Sequence, residues 1–209
     1  MAGKHEKPKS EKKRRKWPWI LLILLLLLIG AFLFMHFRYE SSGTPTLIVE
    51  TPQKLSLAQN NEFTLDVTIS SLGDARYPAM SMSLSFDNSR LEFIGLEEGN
   101  VFILSNESAS GQQLPTWSYS AANANQTGLI NIMYLDMTGG KNAFCSDLLA
   151  EEDNVVLRLK FRLRGSIRAG DVLDLILEDA VFAASNEQES LAMTTGSLKT
   201  KNGKLVIGE

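Results

Sequence analysis

The chain has 209 residues, 44% of them hydrophobic and 22% charged, with a formal net charge of −3 and one cysteine, Cys145. A lone cysteine excludes an intrachain disulfide, so any folded part must stand on its own apolar core. Only two histidines are present, His5 and His36, and their position removes Ser-His-Asp, Cys-His and the common His-containing zinc chemistry from everything beyond residue 36.

The averages conceal a chain divided into three parts. Residues 1–16, "MAGKHEKPKSEKKRRK", hold eight Lys or Arg against Glu6 and Glu11, a net of +6. The remainder therefore carries 13 basic and 22 acidic residues, a net of −9. Residues 17–37, "WPWILLILLLLLIGAFLFMHF", follow, and Ile20 to Met35 contains no charged side chain. About 20 residues at ~1.5 Å each span about 30 Å, the thickness of a bilayer core. The sequence predicts an uncleaved transmembrane helix here. A cleaved signal peptide has a shorter apolar region and an A-x-A-like site, whereas "HFRYESSG" follows this one. The basic cluster places the N-terminus in the cytoplasm and the C-terminal part outside, with Trp17 and Trp19 at the inner interface. Beside a membrane span, the basic tail reads as an orientation signal that attracts anionic lipid, and no nucleic-acid partner is expected.

Residues 38–45, "RYESSGTP", form a polar linker that reaches at most about 27 Å. From residue 46 to 207 the chain has about the size of one domain, and period-2 alternation dominates it. In "EFTLDVTIS", Phe63, Leu65, Val67 and Ile69 share one side. In "AMSMSLSF", Met80, Met82, Leu84 and Phe86 alternate with Ala79, Ser81, Ser83 and Ser85 before an Asp-Asn turn. "RLEFIGL" is a further strand. "VVLRLKFRLRG" places Val155, Leu157, Leu159, Phe161 and Leu163 inward, and Val156, Arg158, Lys160, Arg162 and Arg164 outward. "DVLDLILEDAVF" and "GSLKTKNGKLVI" complete about nine strands, with "AFCSDLLAEED" able to form a helical turn. Many half-buried strands with no covering helix predict an all-β sandwich of two sheets.

One strand breaks the alternation. In "LINIMYLD", Ile130, Ile132 and Tyr134 fill one side, and Leu129, Met133 and Leu135 with Asn131 fill the other. One of these faces is core. The other lies under a loop or forms an exposed apolar strip of the kind that marks an interaction surface.

The order of these pieces resembles a cohesin domain, a jelly-roll sandwich that binds dockerin modules in cellulosome-type assemblies. The likeness covers about Thr46 to Ile207 and is carried by "SMSLSFDNSRLEFIGLEEGN", "INIMYLDMTGG", "VVLRLKFRLRG" and "GKLVI". One departure is "ISSLGDARYPAM": where the family has an Asn or Asp pair in the next strand, this chain has Ala79 and Ser81. The resemblance implies one dockerin-binding sheet face built from the strands at Ala79–Phe86, Trp117–Ala121, Asn131–Leu135 and Arg158–Arg164. Carried across by position, it names Ser81, Ser83, Asn131, Met133, Leu135 and Asp136, and alternation adds Arg158, Lys160 and Arg162 as a charged row on the non-core side. The same row also fits a solvated face paired with acids on neighbouring strands. The resemblance implies a non-catalytic tether with no cofactor of its own, any calcium belonging to the dockerin.

Asp136 stands before Thr-Gly-Gly, as a catalytic aspartate often does. The intervening Met137 departs from an aspartic-protease D-T-G and the second glycine from a pump D-K-T-G-T, so the residue reads as the rim of a binding face, followed by a turn that needs positive φ at Gly139 and Gly140. Glu97, Glu98, Asp136, Glu151, Glu152 and Asp153 could in principle include a glycosidase pair, although adjacent acids are usually solvated turns. A carbohydrate-binding module of the same architecture is the main rival. It would use Trp117 and Tyr119 as platforms, which fit core packing as well. A structural subunit of an envelope assembly is the third reading.

Overall fold

The computed structural model describes residues 25–27, 29, 43–56, 62–101, 116–137, 139–150 and 154–208. Two units separate, Met1–Ser42 and Gly43–Glu209. In the first, Leu25–Leu27 and Ile29 are helical and exposed. The basic tail and most of the expected span at 17–37 lie outside the described residues, and no helix among the described residues is long and apolar enough to cross a membrane.

The second unit is a β-sandwich. Among the described residues it has eleven strands: β1 (Thr46–Val49), β2 (Glu62–Ile69), β3 (Ala79–Phe86), β4 (Leu91–Glu98), β5 (Thr116–Ser118), β6 (Leu129–Leu135), β7 (Val155–Leu163), β8 (Val172–Ala183), β9 (Leu191–Ala192), β10 (Lys199–Lys201) and β11 (Gly203–Val206). One sheet runs β10-β1-β2-β7-β4. The other runs β11-β8-β3-β6-β5, with β9 paired to β8. Every ladder is antiparallel except β1 with β10.

The alternation in the sequence is the reason for these sheets. In β3 the side chains of Met80, Met82, Leu84 and Phe86 are buried while Ala79, Ser81, Ser83 and Ser85 are half-exposed. Leu47, Leu65, Leu159 and Phe161 of one sheet meet Met82, Leu84, Leu175 and Phe182 of the other in a single cluster, each fully buried large side chain contributing about 1.5–3 kcal/mol. Phe86 and Phe161 join the two sheets edge to face at 5.5 Å.

Three departures from strict alternation have local causes. The register between β2 and β7 slips between Val67 and Thr68, leaving Val156 as the extra residue of a bulge. Its side chain is therefore buried, against the outward placement that alternation gave it. A second bulge, opposite Ser83 and Leu84, sets Glu178 beside Asp179 so that both are exposed. The terminal "GSLKTKNGKLVI" is two strands, because the chain passes at Asn202 from the five-stranded sheet to the six-stranded one.

The segment expected to be strand through Ala121 stops at Ser118 and becomes a short helix, Ala121–Thr127. Ser120 caps it by accepting the Asn123 N–H at 3.3 Å, and Gly128 ends it at φ 75°. Asn125 then exchanges hydrogen bonds with both the N–H and the carbonyl of Phe93, at 2.7 and 2.8 Å. This fixes the entry of β6 against β4. The helical turn expected near "AFCSDLL" is a 3-10 turn at Ser146–Leu148, and Cys145 beside it is buried.

Candidate functional site

The outer face of the six-stranded sheet can be written as rows across β6, β3 and β8. Leu135, Ala79 and Ala183 form the first row; Met133, Ser81 and Val181 the second. Asn131, Ser83 and Asp179 form the third, and Leu129, Ser85 and Ile176 the fourth. β5 extends the second row with Ser118. Thus Ser81, Ser83, Asn131, Met133 and Leu135 do share one surface.

That surface is uncovered where it is most apolar. Met133 is 56% exposed and Leu135 47%, and Met137, just beyond the strand, is 79% exposed. Behind them Ile130, Ile132 and Tyr134 are sealed in the core, so β6 is the two-faced strand that its sequence predicts. The third row is polar and the fourth mixed: the Ser83 hydroxyl donates to Asn131 Oδ1 at 2.8 Å, the Ser85 hydroxyl donates to Glu178 Oε1 at 2.7 Å, and Ile176 opposite Ser85 is exposed.

Arg158, Lys160 and Arg162 are not part of this face. They lie on β7, between β2 and β4 in the opposite sheet, and point away from the six-stranded sheet because their inward neighbours Leu159 and Phe161 fill the core between the two. Carboxylates of the flanking strands meet them. Arg158 Nε is 3.1 Å from Asp66, Lys160 Nζ 2.7 Å from Glu97, and Arg162 bridges Glu62 and Glu92. Lys160 holds the Glu97 carboxyl below the usual glutamate range, and the same pairing raises Lys160. This is the self-paired outer face that the sequence allowed as the alternative.

Asp136 is also corrected. It is 8% exposed and lies inside the turn, with Oδ2 accepting the Asn142 N–H at 3.2 Å while its own N–H donates to the Pro78 carbonyl at 2.7 Å. The Tyr134 hydroxyl donates to the Asn142 carbonyl at 2.5 Å. Burial, with the Asp136 charge nearby, pushes that phenol well above its ordinary range. Gly139 and Gly140 take φ of 75° and 90°, the left-handed values expected of them. Asp136 closes the turn from a buried position instead of standing on the exposed rim.

The remaining candidates are dispersed. Glu97 is tied to Lys160, Glu98 is half-buried, and Glu151, Glu152 and Asp153 lie outside the described residues. No cluster of three metal-ligating side chains occurs among the described residues. Trp117 packs against Tyr134 with ring centroids 5.1 Å apart, and Tyr119 sets its edge on Phe93 at 5.8 Å.

A family model for the cohesin domain matches residues 47–201. The chain belongs to the cohesin domain family. Cohesins are non-catalytic binding modules. Solved structures share the fold at low identity. A cohesin from a type I cohesin–dockerin complex of Clostridium thermocellum is 16% identical with a TM-score of 0.54, covering 79% of this chain and 99% of its own. The third ScaC cohesin of Acetivibrio cellulolyticus, solved with the ScaB dockerin, is 13% identical with a TM-score of 0.55 over 79% and 99%. A non-cellulosomal cohesin of the archaeon Archaeoglobus fulgidus is 16% identical with a TM-score of 0.50 over 80% and 93%. No curated protein sequence matches this cohesin chain.

What the sequence missed at this face was β8. The single run "DVLDLILEDAVF" conceals a bulge, so strict alternation could not bring Glu178 and Asp179 to the same surface. The adjacent pair of acids in an otherwise regular strand was the available signal.

Proposed function

We propose that this cohesin captures a dockerin-bearing protein on the outer face of its six-stranded sheet, holding it at a membrane through residues 17–37, with the N-terminus cytoplasmic and the sandwich extracytoplasmic. The carrying observation is the uncovered apolar strip of Met133 and Leu135 beside the polar Ser81, Ser83 and Asn131. An apolar centre with a polar margin is how protein interfaces are built. Dockerin-bound structures among the chain's fold relatives support the choice of partner. The short linker at 38–45 keeps the sandwich near the lipid. Any chemistry on polysaccharide belongs to the captured partner.

Calorimetric titration of the detergent-solubilised full chain with purified calcium-loaded dockerin modules tests the capture. Saturable binding by at least one module, lost in Met133→Asp, is the expected result. No binding by any module, or retardation of the chain in polysaccharide gels, overturns it. Alkaline extraction of membranes tests the anchor: the chain stays in the pellet if residues 17–37 span the bilayer, and release into the supernatant refutes the anchor alone.

A further inference from the structure

Asp136, Asn142 and Asn154 are buried polar side chains. The Asn154 amide is satisfied at both ends: Oδ1 accepts the Ala150 N–H at 2.7 Å and Nδ2 donates to the Ala150 carbonyl at 3.0 Å. Asn142, 1% exposed, is not, since neither its Oδ1 nor its Nδ2 has a hydrogen-bond partner. Exchanging the two atoms leaves the shortfall unchanged. An amide withdrawn from water without partners is costly, and in a native fold it calls for a held water or ion. The group beside it carries charge. Asp136, 8% exposed, receives the Asn142 N–H on Oδ2 at 3.2 Å, longer than is usual for an ionised acceptor. The chain between the two passes through Gly139 and Gly140, and nothing lies within 4 Å of a Cβ position at either glycine. The turn is therefore open to solvent on that side. Its own cation, Lys141, is exposed, and the Tyr134 phenol donates to the Asn142 carbonyl.

We infer that Asp136 and Asn142 are the side-chain ligands of a calcium site at the end of β6, Asp136 through its carboxylate and Asn142 through Oδ1. Calcium takes about six to eight oxygens in flexible geometry, so main-chain carbonyls and water complete the shell. Water carried in with the ion gives Nδ2 its acceptor. A buried carboxylate beside an amide oxygen favours a hard cation over a neutral water, because the ion's charge opposes the carboxylate's. A single carboxylate makes the site weak, with a dissociation constant of about 1 mM, in the range of extracellular calcium modules. This calcium is separate from any that belongs to a dockerin, and the site stands whether or not the outer face docks one. Met137, 79% exposed, belongs to the same turn. A bound ion thus fixes the end of the apolar strip.

The experiment takes the full chain in detergent, with no dockerin present, strips it with EGTA and follows thermal unfolding on adding calcium chloride, magnesium chloride or sodium chloride at equal ionic strength. The side-chain amide resonances of Asn142 are followed in parallel by nitrogen-correlated NMR. Calcium at about ten times its dissociation constant is expected to raise the unfolding midpoint by about 3–6 °C. Magnesium does less, sodium does nothing, and the Asn142 amide resonances shift along the calcium curve. Asn142→Ala, which removes the unpaired amide, is expected to unfold no earlier than wild type in EGTA and to lose the calcium response. Asn142→Asp keeps the size and adds a second carboxylate, and is expected to bind calcium about tenfold more tightly or better. If Asn142→Ala does not fold, the wild-type resonances and Asn142→Asp decide. No calcium response beyond that of sodium overturns the inference. A response undiminished in Asn142→Ala, with the wild-type Asn142 resonances unmoved, puts the calcium elsewhere and also overturns it. Equal destabilisation by Asn142→Ala with and without calcium shows an amide that holds only water, and overturns it as well.

Discussion

Met133 of β6 stands directly opposite Ser81 of β3, and both side chains project from the outer face of the six-stranded sheet. The pair joins the apolar strip to the polar strand beside it. Replacing Met133 by Asp puts a charge into the centre of that strip without touching the core. Partner affinity is expected to fall by at least a hundredfold, while thermal unfolding of the free chain changes by less than about 0.5 kcal/mol, as surface substitutions do. Collapse of the fold would instead place Met133 in the core.

The cations of β7 give the opposite expectation. Lys160 and Glu97 lie 2.7 Å apart, both substantially exposed, on the face turned away from β3 and β6. Lys160→Gln is expected to leave partner affinity within a factor of two of wild type. Exposed pairs contribute little, so stability also changes little. A large loss of binding would transfer the docking surface to the five-stranded sheet.

Glu97 and Glu98 are neighbours in sequence with opposite titration behaviour. The Lys160 hydrogen bond and charge hold Glu97 below the usual glutamate range, whereas burial pushes Glu98 above it. The signs follow. Glu97's contribution to stability is present above its unfolded-state pKa and is lost as pH falls through the folded one. Glu98's preference for the protonated form is present at low pH and is lost as pH rises through its folded pKa. Carbon-detected NMR of the side-chain carboxyls is expected to show Glu97 titrating at lower pH than Glu98, and Lys160→Met to move Glu97 upward alone.

Asp136 closes its turn through the Asn142 N–H. Asp136→Ala leaves a buried donor without that acceptor and is expected to destabilise the chain by about 1–3 kcal/mol, measured by denaturant unfolding. Asp136→Asn, which keeps an acceptor oxygen, is expected to cost less. Equal stability in all three would remove the turn-closing role.

How much of this was legible depended on what each residue answers to. The faces of β2, β3 and β6 follow from period-2 alternation, because one side of each strand must leave water. The exposed placement of Met133 and Leu135 was one of two options for a strand apolar on both sides, and neighbouring strands decided it. Which sheet holds Arg158 was not legible, since alternation gives a side of a strand and says nothing of the strand's neighbours. Asp136 misled for a related reason: its burial depends on a backbone N–H six residues away, which no side-chain pattern announces. The bulges at Val156 and Glu178 shift parity by one residue, and strict alternation passes over them.

The central claim is that the uncovered outer face of the six-stranded sheet receives the partner. Hydrogen exchange of the full chain, with and without a bound dockerin module, tests it most directly. Slowed exchange confined to β3, β6 and β8, centred on residues 81–85, 131–135 and 176–181, is the expected footprint. Protection centred on β2, β7 and β4 with no change along β6 would contradict it.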